Sequence, residues 1–225
     1  GAEAERIAFK YMGGVEVSHQ RAEEVRLEAE RSALGRRRLF LVLDLDHTLL
    51  NSATFKDVDV QAEAPKLDAE LKAQHERKEP RPLLHQLPHM GMMTKLRPFV
   101  HEFLAGAAEL FDLHVYTMGS RPYAEEMVRL LDPTGALFRG RIISQQDSTV
   151  STAKDLDVVC GREGGVLIVD DTERVWQRHA ENLLVLERYH YFSASRRSFE
   201  RPGSREHAEA KGHLARGTDE EAGEG

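Results

Sequence analysis

Residues 39–50 read Leu-Phe-Leu-Val-Leu-Asp-Leu-Asp-His-Thr-Leu-Leu, and the prediction of the fold starts from this segment. The five apolar residues from Leu39 to Leu43 show no helical periodicity, which is typical of a strand buried on both faces of a parallel sheet. The strand surfaces at Asp44, and ligands of open parallel α/β sheets bind just beyond the carboxyl ends of the strands. Because side chains alternate along an extended chain, we expect Asp44 and Asp46 on one side, close enough to share a divalent cation. The alternative interpretation is a solvated strand end followed by a turn.

A second stretch has the same design. Residues 165–171 read Gly-Val-Leu-Ile-Val-Asp-Asp, an apolar run that ends in Asp170 and Asp171. If the two strands lie side by side in a parallel sheet, up to four carboxylates surround one point. That density of negative charge is unfavourable without a cation, and oxygen ligands suit Mg²⁺. The sequence therefore predicts a magnesium site at this edge of the sheet.

The apolar strand followed by Asp-Leu-Asp-His-Thr resembles the Asp-x-Asp-x-Thr signature of the aspartate-nucleophile phosphatases of the haloacid dehalogenase superfamily. More narrowly, it is similar to the plant-type RNA polymerase II C-terminal-domain phosphatases. The further motifs follow in the family's order: Lys95-Leu96-Arg97-Pro98, Tyr116-Thr117-Met118-Gly119, Lys154 and Asp170-Asp171. The resemblance covers roughly residues 36–199, and the ordered set is far more specific than any single motif.

The resemblance assigns a role to each motif residue. It implies that Asp44 is the nucleophile, that Asp46 transfers protons, and that Lys154 holds nucleophile and phosphate by charge. It also implies a Mg²⁺ ion held by Asp44, the main-chain carbonyl of Asp46, and Asp171, with Asp170 bracing the site or binding a metal-bound water. Thr117 completes the predicted catalytic set, and the residues expected to bind the substrate are Thr48, Arg97, Gly119 and Arg121.

Three further positions qualify these roles. Arg121 and Tyr123 are candidates for the rim of a peptide groove, and the alternative is that both are ordinary surface residues at a helix start. Thr172 departs from the non-plant relatives, in which an arginine often follows the two acids, and this departure puts more weight on Arg97 as a phosphate contact. By position, residues 187–192 are expected to be structural.

The chain of 225 residues with 40% hydrophobic content can bury one sizeable core. The expected fold class is α/β, a Rossmann-like parallel sheet flanked by helices as in the haloacid dehalogenase superfamily, with a short helical insertion after the first motif. The expected organisation is a loose lead-in and a charged helix in 1–35, a catalytic domain in 36–199 with an insertion at about 56–93, and a disordered tail in 200–225.

Apolar residues between Pro98 and Leu110 recur every three or four positions, so we expect an amphipathic helix that begins near Pro98. Its predicted sheet-facing residues are Phe99, Val100, Phe103, Leu104, Ala107 and Leu110. Arg97 precedes the helix, at the end that favours an anion.

Composition narrows the possible partners. A net charge of −7 argues against a generic binder of nucleic acid or of membrane surfaces, and we expect a monomer that contacts neither. A single cysteine, Cys160, excludes an intrachain disulfide and suits a reducing compartment. The resemblance implies a nuclear protein whose partner is the phosphorylated RNA polymerase II C-terminal repeat. The run Arg36-Arg37-Arg38 is too short to carry a nuclear address by itself.

The expected activity is Mg²⁺-dependent removal of phosphate from phosphoserine in that repeat, through an aspartyl-phosphate intermediate. One alternative is a phosphotransferase or small-molecule phosphatase of the same superfamily, with the same motifs and a different cap. Another is a non-catalytic phosphopeptide-binding or scaffold protein on this fold. Such relatives often lack a motif residue, whereas here all five principal ones are present: Asp44, Asp46, Thr117, Lys154 and Asp171.

Overall fold

The computed structural model describes residues 6–9, 15–150 and 152–200, which belong to two compact units. The first unit comprises the chain up to Leu50 together with Leu96–Tyr189, and the second comprises Asn51–Lys95 and the chain from His190 onward. The predicted tail lies outside the described residues from position 201 on. The domain limits at 36 and 199 stay predictions.

In chain order, the elements are β1 (Arg6–Phe9), β2 (Val15–Ser18), α1 (His19–Gly35), β3 (Leu39–Leu43), β4 (Leu50–Thr54), α2 (Ala64–Glu76), β5 (Leu84–Leu87), β6 (Met92–Leu96), α3 (Val100–Leu110), β7 (Phe111–Tyr116), α4 (Arg121–Leu131), β8 (Ile142–Ile143), β9 (Val166–Asp170), β10 (Leu183–Val185) and α5 (Ser193–Glu200).

Five parallel strands form the sheet of the first unit, in the order β10-β9-β3-β7-β8. The central strand β3 is buried from Phe40 to Leu43, as its unbroken apolar run predicts. Phe40 and Val42 pack with Ile168 of β9 and with Trp176 in the main core. The predicted α/β class and the pairing of the two acid-terminated strands are confirmed.

Helix α4 shows why its sequence folds as it does. Pro122 lies in the first turn, where its missing N–H costs nothing, and the buried side chains Ala124, Met127, Val128 and Leu131 recur every three or four residues. The helix therefore lays one apolar stripe on the core.

Helix α3 differs from its prediction. Phe99 adopts a left-handed backbone (φ 64°), so the helix begins at Val100 and not at Pro98. The buried stripe is centred on Val100 and Leu104, while Phe99, Phe103 and Leu110 are exposed. The start was wrong by two residues because the expected first turn contains a non-helical residue, and the apolar spacing then assigned three side chains to the wrong face.

The expected loose lead-in is also corrected, because residues 6–9 and 15–18 pair as antiparallel strands β1 and β2. The predicted charged helix follows as α1, and Ser18 caps it by accepting a hydrogen bond from the Arg21 N–H.

In the second unit, β4, β6 and β5 form a three-stranded sheet in that order, and β5 and β6 are antiparallel. Helix α2 contains Pro65 in its first turn and buries Leu67 against Leu84, Met93 and Phe192. The insertion is thus more than helical, since β5 and the first two residues of β6 also lie within it. Strands of four and five residues are too short for a clear alternation of polar and apolar side chains.

None of the helices within residues 15–150 and 152–200 combines the length and hydropathy needed to cross a bilayer.

Candidate active site

Two neighbouring strand ends bring three carboxylates together. Strands β3 and β9 run parallel with Leu43 opposite Val169, so their carboxyl ends lie side by side. Asp44, Asp170 and Asp171 each offer one carboxylate oxygen within 4.8 Å of the others, and all three residues are buried. A buried group of oxygen ligands at this spacing could hold a divalent cation and fits Mg²⁺.

The ammonium of Lys154 bridges two of these carboxylates. Its Nζ donates to Asp44 Oδ1 and to Asp170 Oδ2, each at 2.6 Å, and the side chain is buried. Burial disfavours the charged ammonium, but the charges of Asp44 and Asp170 outweigh burial and raise the pKa of Lys154. Lys154 therefore stays positively charged beside the predicted nucleophile.

The pKa values of Asp44 and Asp171 are raised. Burial raises the pKa of Asp44 well above its usual value, and the charge of Lys154 only partly opposes this. Burial also raises the pKa of Asp171, where Arg188 opposes it. In both groups burial disfavours the charged carboxylate, and a divalent cation bound beside them would oppose these shifts.

Asp46 has a different environment. Among the described residues, the three-carboxylate group does not include it, and its Oδ1 accepts a hydrogen bond of 2.6 Å from the Tyr123 hydroxyl. Burial raises the pKa of Asp46, and the Tyr123 hydrogen bond opposes that rise. A carboxyl group with a raised pKa keeps its proton to higher pH, which suits a group that donates a proton and later accepts one.

The chain turns sharply just after Asp46. His47 adopts a left-handed backbone (φ 66°), and its N–H donates to the carbonyl of Leu50 at 2.7 Å. Strand β3 ends at Leu43, so Asp46 lies in the loop beyond it, and among the described residues its carboxylate does not join the group formed by Asp44, Asp170 and Asp171. Ligation of a metal by the main-chain carbonyl of Asp46 stays a prediction.

Gly119 and Tyr123 are linked by packing. A Cβ at Gly119 would lie 2.7 Å from Cδ1 of Tyr123, so only glycine lets this ring reach Asp46. The Gly119 N–H donates to Oγ1 of Thr117 at 3.0 Å, and Thr117 is buried at the end of β7. The predicted Thr-Met-Gly motif thus orders the turn that leads into α4, the helix that contains Tyr123.

The other predicted substrate-binding residues have clear structural partners. Thr48 is buried, with its hydroxyl 3.5 Å from Asp171 Oδ1. Arg97 donates to the carbonyls of Thr48 and Glu187, each at 2.9 Å. Arg121 donates to the Ile142 carbonyl at 2.8 Å and to the carboxylate of Asp147. Contacts of these side chains with a substrate stay predictions.

Sequence reasoning missed Arg188, which lies in the segment Glu187–Tyr189 that we expected to be only structural. Arg188 Nε lies 2.6 Å from Asp171 Oδ2. Trp176 is buried in the core and also donates from Nε1 to Asp170 Oδ2 at 2.8 Å. The arginine in a run of polar and aromatic residues was the available indication, but its partner depends on the path of the chain after β10.

The chain is similar to known proteins over most of its length. A family model described as NLI interacting factor-like phosphatase matches residues 39–201. RNA polymerase II C-terminal domain phosphatase-like 4 of Arabidopsis thaliana is 45% identical over 195 residues, which cover 86% of this chain and 44% of the relative. An RNA polymerase II C-terminal domain phosphatase of Homo sapiens is 33% identical over 208 residues, which cover 90% of this chain and 20% of the relative.

Among solved structures, that of Fcp1, an essential RNA polymerase II CTD phosphatase, aligns with a TM-score of 0.59 and 28% identity, covering 74% of this chain and 46% of that chain. The predicted fold class and the predicted resemblance are confirmed. The chain spans less than half the length of these relatives.

Proposed function

Because the chain belongs to the NLI interacting factor-like phosphatase family, we propose that it is a Mg²⁺-dependent protein phosphatase. The proposed substrate is phosphoserine in the C-terminal repeat of RNA polymerase II, the polymerase domain that appears in the names of its relatives. One observation carries the proposal: a buried lysine lies 2.6 Å from Asp44 in a group of three carboxylates at adjacent strand ends. That arrangement suits a carboxylate that attacks a phosphoryl group.

In the first step, a carboxylate oxygen of Asp44 attacks the phosphorus in line with the serine oxygen. The new bond joins Asp44 to phosphorus, and the bond between phosphorus and the serine oxygen breaks. Asp46 donates its proton to that oxygen, so the serine leaves as a neutral hydroxyl. The raised pKa of Asp46, which burial causes, favours the protonated form that this step requires.

In the second step, Asp46 accepts a proton from water as the water oxygen attacks the phosphorus of the aspartyl-phosphate. The bond between phosphorus and Asp44 breaks, inorganic phosphate leaves, and Asp44 returns as a carboxylate. Asp46 is again protonated, so the cycle closes without a net change in the enzyme.

Positive charge must meet the negative charge on the phosphoryl oxygens. Lys154 supplies part of it from its position between Asp44 and Asp170, in a buried site where charge interactions are strong. Asp44, Asp171 and the main-chain carbonyl of Asp46 are the proposed ligands of Mg²⁺, with Asp170 as a further candidate, and the ion would supply Lewis-acid stabilisation there. Thr117 and Thr48 are proposed to donate hydrogen bonds to the phosphate, and Arg97 and Arg121 to bind the peptide or phosphate.

The proposed cellular location follows from the proposed substrate. We propose a nuclear protein that acts as a monomer on the phosphorylated repeat peptide and does not itself bind nucleic acid, consistent with its net charge of −7.

The test measures phosphate release from a phosphoserine heptad-repeat peptide and from a small aryl phosphate, with Mg²⁺ and with the metal chelated. Wild type is compared with Asp44→Asn, and the exposed Asp68→Asn on α2 serves as the matched control. We expect Mg²⁺-dependent release from the peptide that Asp44→Asn abolishes and Asp68→Asn preserves. Release from the aryl phosphate alone would retain the chemistry and exclude the peptide substrate. Absence of release from both would contradict the proposed function.

A further inference from the structure

Two side chains converge on one oxygen of Asp171. The Nε of Arg188 lies 2.6 Å from Asp171 Oδ2, and the Thr172 hydroxyl donates to the same oxygen at 3.0 Å. Arg188 also donates from Nη2 to the Thr172 hydroxyl at 2.9 Å, which closes a ring of contacts. This ring fixes the direction in which the carboxylate of Asp171 points.

The backbone on both sides of Arg188 is tied to the site. The Leu186 N–H donates to the carbonyl of Asp170 at 3.0 Å, and the Tyr189 N–H donates to the carbonyl of His47 at 2.8 Å. Arg97 adds a hydrogen bond of 2.9 Å to the carbonyl of Glu187. Because only 13% of the Arg188 side chain is exposed, its ion pair with Asp171 is better shielded from water than a surface pair.

The second oxygen of Asp171 is left with a weak partner. Among the described residues, the hydrogen-bond partner of Oδ1 is the Thr48 hydroxyl, at the long distance of 3.5 Å. Asp171 belongs with Asp44 and Asp170 to the group whose oxygens can surround a cation. A ligating carboxylate that is hydrogen-bonded through one oxygen offers the other to the metal.

We propose that Arg188 is a positioning residue that holds Asp171 Oδ2 so that Oδ1 is presented to the metal ion. This inference rests on the metal site of the proposed function. It assigns Arg188 to the metal ligand and not to the phosphate, and it pairs Arg188 with Thr172, whose hydroxyl completes the ring. An arginine at position 172 would lack that hydroxyl.

The opposite role, a cation that competes with the metal for Asp171, fits the geometry less well. A competing guanidinium would place two nitrogens on the two carboxylate oxygens, which is the usual fork geometry. In the described contacts, Nε of Arg188 contacts Oδ2 of Asp171, and Nη2 donates to the Thr172 hydroxyl. The two roles predict opposite effects of removing the guanidinium on metal affinity.

The test titrates the full chain with Mg²⁺ in the absence of substrate. Trp176, the single tryptophan of the chain, donates to Asp170 and so reports on the carboxylate group by its fluorescence. Thermal unfolding at increasing Mg²⁺ supplies a second measure of the dissociation constant, since a ligand of the folded state raises the melting temperature. The variants are Arg188→Gln and Arg188→Lys, with the exposed Arg129→Gln on α4 as matched control.

We expect Arg188→Gln to bind Mg²⁺ about 10- to 100-fold more weakly than wild type, the usual effect of losing a partner of a metal ligand. Arg188→Lys, which keeps a charge near Asp171 but not the bond to Thr172, should give an intermediate value, and Arg129→Gln should equal wild type. Unchanged affinity in Arg188→Gln would overturn the inference. Tighter binding would do so as well, because it would identify Arg188 as a competitor.

Activity separates this inference from the proposed function. At saturating Mg²⁺, Arg188→Gln should recover most of the wild-type kcat, while the Mg²⁺ concentration for half-maximal rate rises by the same factor as the dissociation constant. Wild type that binds Mg²⁺ but releases no phosphate would contradict the function and leave the inference intact. Melting curves in chelator verify that each variant is folded.

Discussion

The ammonium of Lys154 lies 2.6 Å from Oδ1 of Asp44, although 110 positions separate the two residues in the chain. Asp44 directly follows the central strand β3. The backbone of Lys154 is fixed in turn, because its N–H donates to the carbonyl of Val175 at 2.8 Å. The same ammonium reaches Asp170 at the end of β9. One buried cation thus joins the predicted nucleophile to the second acid-terminated strand.

Replacing Lys154 with methionine should cost both activity and stability. Loss of the charge removes stabilisation of the phosphoryl oxygens, so we expect kcat to fall by about 10²- to 10³-fold. It also leaves Asp44 and Asp170 buried without their shared cation, which should lower the free energy of unfolding in chelator by about 3–5 kcal/mol. Phosphate release and urea unfolding measure the two effects.

The exposed Lys72 on α2 supplies the control, and Lys72→Met should match wild type in both measurements. A Lys154→Met enzyme with kcat within threefold of wild type would remove Lys154 from the mechanism.

Tyr123→Phe tests the hydrogen bond to Asp46, which is 2.6 Å long. The hydroxyl stabilises the carboxylate and so opposes the rise in the pKa of Asp46 that burial causes. Without it, Asp46 should stay protonated to higher pH. The acid limb of the kcat profile should therefore move to higher pH, because the second step requires the carboxylate as a base. Near neutral pH, we expect kcat to fall by about 10-fold, the value of one hydrogen bond to a charged group.

Gly119→Ala should reproduce this result by another route, because its Cβ would lie 2.7 Å from the Tyr123 ring. If both variants retain the wild-type pH profile, Tyr123 does not act through Asp46.

The motif residues could be predicted because strand ends are visible in sequence. An apolar run that breaks into acids marks the end of a buried strand, and adjacent parallel strands bring those acids together, as Asp44 and Asp170 show. Arg188 could not be predicted in this way. Its contact with Asp171 exists because the chain after β10 returns past the loop that follows β3, where Tyr189 pairs with His47. No local pattern encodes that return.

The start of helix α3 and the burial of Gln74 could not be read from the sequence, for related reasons. Periodicity shows that a helix has an apolar face but not where the helix begins, so the non-helical backbone of Phe99 displaced the predicted face. Gln74, in a polar stretch that resembles a solvated helix end, is buried. The backbone of a strand next to it determines its position, and a strand of four residues was not predicted.

Gln74→Met should destabilise the second unit. The Gln74 amide donates to the carbonyl of Leu84 at 3.0 Å and accepts from the N–H groups of Leu83 and Leu84, also at 3.0 Å. Methionine preserves the volume but leaves up to three backbone groups without this partner. Because a buried unpaired group costs about 1–3 kcal/mol, we expect a loss of about 2–4 kcal/mol in urea unfolding. The exposed neighbour Lys72→Met is again the control, and a loss below about 0.5 kcal/mol would show that water replaces the amide.

His114 should make stability depend on pH. Burial, together with the charge of Arg141, lowers the pKa of its imidazole from the ordinary value of 6.5 to about 4. Above pH 6.5 the imidazole is neutral in both the folded and unfolded chain, so its full contribution is present. As the pH falls from 6.5 to 4, the unfolded chain takes up this proton first, and the folded state loses up to about 3 kcal/mol.

His114→Leu should remove this loss. The measurement is urea unfolding between pH 4 and 7 in chelator, with the exposed His75→Leu on α2 as control. Carboxylates whose pKa is raised by burial, such as Asp44, act in the opposite direction, because the folded state takes up their protons first and gains stability as the pH falls. They contribute equally to wild type and variant, so the difference between the two curves isolates His114. The stability of wild type relative to His114→Leu should fall steadily as the pH falls towards 4. Parallel curves would mean that His114 takes up its proton as readily in the folded protein as in the unfolded chain.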